Sequence, residues 1–112
     1  LDHTVATIQT ATFVAENGGI AYIYDGNHTV TAIKNSSINF KANAKGYISI
    51  FALSGVAKAV TIKGLLYALN DAEITPDFPI GVSNEFINKE SEISVKDGVL
   101  TIIFEGTYNL IK

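Results

Sequence analysis

A strict alternation runs through the middle of the chain. In residues 38–45 the apolar Ile38, Phe40, Ala42 and Ala44 interleave with the polar Asn39, Lys41, Asn43 and Lys45. A period of two puts the first set on one face of an extended strand and the second on the other. The apolar face needs a second layer to cover it, and this steers the chain toward a sheet packed on a sheet. At 112 residues, of which 47 % are hydrophobic and 17 % charged, the chain is long enough to bury roughly two-thirds of the surface of its unfolded form.

Other segments extend this reading. Residues 4–14, TVATIQTATFV, are rich in Thr, Val and Ile, which suit a pleated surface and lose rotamer freedom in a helix, so they are read as the first strand. This stretch carries no charge, Pro or Gly and therefore none of the usual protection of a sheet edge. In a filament such a strand would add to the sheet of a neighbouring subunit.

Turn chemistry predicts three hairpins. Asp97-Gly98 tolerates the positive φ of a two-residue turn and would pair Val95 with Leu100 and Ile93 with Ile102. A Gly26-Asn27 turn would set Ile23 against Val30, Tyr24 against Thr29 and Tyr22 against Thr31. The alternative turn, Asp25-Gly26, sets Ile23 against His28 and matches side chains less well. The third hairpin turns at Ser54-Gly55, and its first strand is apolar on both faces, as a central strand is. The Gly-led starts at Gly19, Gly46 and Gly98 echo one another, but any meander of such hairpins would look the same.

From Leu65 to Glu90 the pattern weakens. LLYALNDAE suits a strand or a short helix, TPDFPIG is irregular, and SNEFINKE suits one helical turn capped by Ser83 or Asn84. The whole stretch reads as a long connection across one end of a sandwich. The predicted fold is all-β: residues 1–112 as a single antiparallel β-sandwich or jelly-roll-like domain of roughly seven to nine strands, with a closed barrel as the alternative.

Composition narrows the function. Without Cys there is no disulfide framework, thiolate metal site or cysteine nucleophile. A net charge of −3 with no Arg argues against a nucleic-acid partner. The most apolar stretch, residues 47–60, is broken by Ser54, Gly55 and Lys58, too early for a membrane span.

Asp25 and His28 would face each other at the first hairpin tip, and a carboxylate can fix an imidazole tautomer. Catalysis needs a third group and a metal needs three or four ligands, so the pair reads as turn residues. Asp71, Glu73 and Asp77 form an acidic stretch without the calcium-loop spacing and read as a solvated loop. The sequons at Asn27 and Asn35 are no more than chance supplies. Tyr22 and Tyr24, on one strand face, form the candidate ligand-stacking surface for sugar rings or a partner's side chains.

No catalytic, cofactor-binding or metal-ligating residue is predicted, and the chain is expected not to be an enzyme. The expected function is an extracellular or cell-surface structural or adhesive domain, a subunit of a filament, pilus or surface-layer assembly that self-associates through a β-strand edge. The alternative is a carbohydrate- or other ligand-binding β-sandwich module built on Tyr22 and Tyr24. A hydrolase ranks third.

Overall fold

The structure, a computed structural model, describes residues 2–77 and 83–112. A helix α1 (Asp2–Glu16) is followed by strands β1 (Ile23–Tyr24), β2 (His28–Lys34), β3 (Ser37–Phe40), β4 (Tyr47–Phe51), β5 (Ala57–Lys63), β6 (Leu69–Ile74), β7 (Asn84–Glu85), β8 (Ser91–Asp97) and β9 (Val99–Glu105), then a 3-10 turn at Tyr108–Leu110. The strands form two antiparallel sheets, ordered β1-β2-β9-β4-β7 and β3-β8-β5-β6. The predicted sandwich is present in this mostly β form, and the sheets do not close into a barrel.

The core lies between the sheets. Ile48 and Ile50 of β4 and Leu100, Ile102 and Phe104 of β9 meet Phe40, Val60, Ile62 and Ile93 of the second sheet. Phe40 makes edge-to-face contacts with Phe104 and Phe86, ring centroids 4.9 and 5.3 Å apart, an arrangement in which the positive edge of one ring meets the negative face of the next.

The first strand predicted from sequence is instead the helix α1. Ala11, Thr12 and Ala15 are buried and Ile8 is half-buried, a stripe at helical spacing that lies on the outer face of the first sheet. Ala15 packs with Ala32 and Val99, the small side chains letting helix and sheet approach closely. Thr10 and Thr12 donate their hydroxyls back to the Ala6 and Ile8 carbonyls, each at 2.8 Å, and the buried Thr12 and Thr101 hydroxyls share a 2.7 Å hydrogen bond. The helix stops at Asn17-Gly18-Gly19: the Gly18 amide donates to Ala15 O at 3.0 Å and the Gly19 amide to Val14 O at 2.9 Å, with Gly18 at φ 84°, a left-handed C-terminal cap. The strand that was to be donated to a neighbour is thus this helix.

Of the three predicted hairpins one is a hairpin. β1 and β2 pair as expected, Ile23 with Val30 and Tyr24 with Thr29. The other two are crossings between sheets: β4 and β9 belong to the first sheet, β5 and β8 to the second. The pairings Val95–Leu100 and Ile93–Ile102 do not form; Val95 pairs with Val60, Ile93 with Ile38 and Ile62, and Ile102 with Thr31 and Ile50. With one of the three units a hairpin and the others split between sheets, no duplicated hairpin is present.

The Asp97-Gly98 crossing is tied to another, the connection from β2 to β3. The Asn35 amide donates to Gly98 O at 3.1 Å, and the Gly98 amide donates to Asn35 Oδ1 at 2.8 Å. Asn35 holds φ 50° and Gly98 φ 132°, both in the region that side chains with a Cβ resist.

The weak segment 65–90 also resolves differently. LLYALNDAE contains strand β6, and Asn84–Glu85 is strand β7 rather than a helical turn, followed by a bridge from Phe86 to Leu65. In the stretch expected to be irregular, residues 78–81 lie outside the described residues.

A Cβ at position 98 would lie 2.8 Å from Ala57 Cα and 2.9 Å from Val56 O. Gly98→Val should therefore lower the unfolding free energy by about 2–4 kcal/mol, combining a strained φ with overpacking. Urea denaturation measures this, and a midpoint equal to wild type would show that the corner is not held as described.

Candidate ligand-binding site

Asp25 and His28 do lie at the tip of the β1–β2 hairpin, but the carboxylate serves the backbone. Asp25 Oδ1 accepts from the Asn27 amide at 2.9 Å and the His28 amide at 2.8 Å. The same two bonds, His28 first, hold the Asp25 carboxyl below its ordinary value. The charged form is favoured in the folded chain, so its contribution to the tip is present above the unfolded pKa and is lost as pH falls through the lowered folded one. Asp25→Asn with His28→Asn should leave fold and ligand affinity unchanged while removing the acid-limb titration of the residue 27 and 28 amide shifts. An NMR pH series checks this, and lost binding in the double variant would make the tip functional.

Tyr22 and Tyr24 are exposed, but each has a use within the chain. The Tyr22 ring stacks on Tyr108 with centroids 6.0 Å apart, and the Tyr24 hydroxyl donates to Gly26 O at 2.8 Å. Tyr47 of β4 lies apart from both, since β2 and β9 separate β1 from β4. The acidic stretch does not converge: the Asp71 amide donates to Thr61 Oγ1 at 3.3 Å, and Asp77 accepts from the Thr75 hydroxyl at 2.9 Å. Among the described residues no group of three or more His, Cys, Asp or Glu is arranged to hold a metal. Of the two sequons, Asn27 is exposed at the hairpin tip, whereas the Asn35 side chain is bonded to Gly98.

Around the short strand β7, by contrast, unusual features gather. Ser83 at φ 63° and Asn88 at φ 62° bracket it, and Gly46 at φ 88° and Gly64 at φ 79° lead into its neighbours. A Cβ at Gly64 would collide with the backbone of Glu90 and Ser91, and one at Gly46 with the Glu105 carboxylate. Sparsely populated backbone conformations concentrate where a structure holds groups in a required position.

The centre of this region is Asn84, 1 % exposed. Its Oδ1 accepts from the Tyr67 and Glu85 amides at 2.9 Å each, and its Nδ2 donates to Tyr67 O at 2.7 Å. One buried amide thus fixes both backbone groups of Tyr67 and joins the loop after β5 to β7. The Leu66 amide adds a 2.9 Å bond to Glu85 O, and the Phe86 amide a 3.0 Å bond to Gly46 O.

This framework displays apolar side chains outward. Tyr47 (66 % exposed) is paired with Glu85, and the exposed Leu66 and Tyr67 (63 %) are bonded through their backbones to Glu85 and Asn84 respectively. Tyr47 lies directly opposite Glu85 in the β4–β7 pairing, so the two side chains share one face. On the far side of Tyr47, the Glu105 carboxylate accepts the Tyr47 amide at 2.5 Å. An exposed apolar patch with carboxylates beside it is a place for a ligand or partner.

Sequence reasoning missed this region because its members lie far apart in the chain. The available signal was the use of residues that tolerate positive φ, Gly46, Gly64 and Asn88, around a segment that matched neither period.

Residues 35–100, more than half of the chain, match the family model described as thiamin pyrophosphokinase, vitamin B1 binding domain. The chain belongs to this family. Its fold is similar to that of thiamine pyrophosphokinase from Bacillus subtilis, with TM-score 0.81 and 25 % identity over 93 % of this chain and 50 % of the other. The enzyme from Geobacillus thermodenitrificans gives TM-score 0.75 and 21 % identity over 97 % and 50 %. That from Candida albicans gives 0.69 and 14 % over 94 % and 40 %. At those two lower identities the likeness is one of fold. The chain spans about half the length, or less, of these solved relatives. No curated protein matches it.

The family assignment corrects the functional expectations drawn from the sequence. The relatives are thiamin pyrophosphokinases, which are enzymes. That overturns the expectation of a non-enzymatic structural or adhesive protein, whether filament, pilus or surface-layer subunit, and the alternative of a carbohydrate-binding module. The extracellular or cell-surface location rested on that reading and falls with it. Among the described residues no helix is long and apolar enough to cross a membrane.

Asn84→Ala removes three hydrogen bonds from a buried clamp and strands both backbone groups of Tyr67. Stability should fall by about 2–4 kcal/mol, a large loss for one side chain, and amide exchange at Leu66 and Tyr67 should accelerate. Unchanged protection of those amides would show that the loop is held by something else.

Proposed function

We propose that this chain is the thiamin-recognition part of a thiamin pyrophosphokinase and that the β7 corner is where thiamin is met. In this reading the complete enzyme transfers a pyrophosphoryl group from a nucleoside triphosphate to the thiamin hydroxyl, and the chain described here contributes binding and orientation of the vitamin. The single observation that carries the reading is the family match across residues 35–100, and the resemblance to the Bacillus subtilis enzyme over 93 % of the chain supports it.

The chemistry of the corner suits the ligand. Thiamin joins an aminopyrimidine to a permanently cationic thiazolium. Aromatic faces attract such a ring through their quadrupole, and carboxylates supply counter-charge. Tyr47 and Glu85, opposite each other in the β4–β7 pairing, bring both kinds of group to one corner, held by the Asn84 clamp. The patch is open rather than enclosed, so affinity for the chain by itself is expected in the range of about 0.1–1 mM, where few contacts offset the cost of immobilising a ligand.

Calorimetric titration of the 112-residue chain with thiamin tests this directly. Saturable binding that is lost in Asn84→Ala, a variant whose residual fold is checked by circular dichroism, is the expected result. A flat titration of the folded wild-type chain to several times the upper end of that range would overturn it.

A further inference from the structure

Glu105 and Glu85 flank the same tyrosine but are used differently. The Glu105 carboxylate is committed: it accepts the Tyr47 amide and fills the space beside Gly46, where a Cβ would collide with it. The Glu85 backbone is equally committed, its amide to Asn84 Oδ1 and its carbonyl to the Leu66 amide. The Glu85 carboxylate, however, has no hydrogen-bond or ion-pair partner among the described residues; the ion pair they contain is Lys112–Glu90, at 3.0 Å. It is half-buried on the face of Tyr47, with the backbone of the exposed Leu66 bonded on its other side. A carboxylate lacking a cation in apolar surroundings gains more from a cationic ligand than one fully in water.

Resting on the thiamin reading above, we propose that Tyr47 and Glu85 form the platform that selects the charge of the ligand, with Glu105 as a positioning residue. The Tyr47 ring offers a face to the cationic heteroaromatic ring, and the Glu85 carboxylate, directly across the β4–β7 pairing, supplies the counter-charge. Glu105 acts through Tyr47, fixing its backbone. The class of ligand favoured is a heteroaromatic ring with a quaternary nitrogen, over a neutral ring of the same shape. The tyrosine hydroxyl has no part in this, since the attraction comes from the ring face.

The test compares thiamin with thiochrome, its neutral oxidised form, as ligands of the 112-residue chain. Wild type should prefer thiamin. Glu85→Gln keeps the shape and removes the charge, so it should weaken thiamin binding about tenfold and leave thiochrome within about twofold. Tyr47→Phe should retain both affinities, whereas Tyr47→Leu should weaken both. Glu105→Gln, which keeps an acceptor for the Tyr47 amide, should preserve the preference. If wild type binds thiamin and Glu85→Gln leaves the ratio of the two affinities unchanged, charge selection by Glu85 is overturned while the thiamin reading stands. If the folded wild-type chain binds neither ligand, both are overturned.

Discussion

Strand β9 is buried on both faces, and that constraint organises the rest of the structure. Leu100, Ile102 and Phe104 point into the sandwich, while Val99 and Thr101 are covered on the outside. An antiparallel sheet can leave one face to water, but the outer face of this one is apolar at its centre and needs a cover. Helix α1 provides it, and close approach is possible because Ala11, Ala15 and Ala32 are small. Thr101 then loses access to water, and the Thr12 hydroxyl on the helix takes the place of solvent.

The same strand connects the scaffold to the candidate site. It begins at the Gly98 corner, tied to Asn35, and ends at Glu105, whose carboxylate holds Tyr47. Beneath the site, Phe104 and Phe86 both pack edge-on against Phe40. Each of those two rings immediately precedes or follows a carboxylate in the chain, Glu105 after Phe104 and Glu85 before Phe86. One aromatic cluster therefore anchors the backbone of both acids, and the side chains facing outward are positioned by rings facing inward. Rigid strands hold such groups more accurately than loops do.

How far the sequence could be read follows the range of the interactions involved. The β1–β2 register was legible because a two-residue turn and its cross-strand pairs are local. Helix α1 was misread because Thr, Val and Ile were weighed by propensity, whereas burial recurs at Ile8, Ala11, Thr12 and Ala15 and the Asn-Gly-Gly stop is a helix terminator. The corner at Asp97-Gly98 shows another limit. A glycine at positive φ serves a hairpin and a sheet crossing equally, and only the non-local partners Thr31, Val60 and Ile50 decide between them. Two-sided apolarity in residues 99–104 marks a central strand without naming its neighbours.

The functional misreading has a related cause. Low charge and the lack of a catalytic constellation suggested a structural protein, an inference that holds only if a functional domain must carry the reactive groups itself. Recognition places a different demand on a sequence: a few side chains at one corner, fixed by buried polar groups that look like ordinary turn residues. Asn84 reads in the sequence as a cap, yet in the fold its amide is buried and binds three backbone groups across a loop and a strand. A buried amide so fully satisfied is costly to replace, because each lost bond leaves a partner unpaired. Its value lies in where it holds Tyr67, Glu85 and their neighbours, and position of that kind has no local pattern. It exists only once residues 47, 67, 84 and 105 have been brought together by the two sheets.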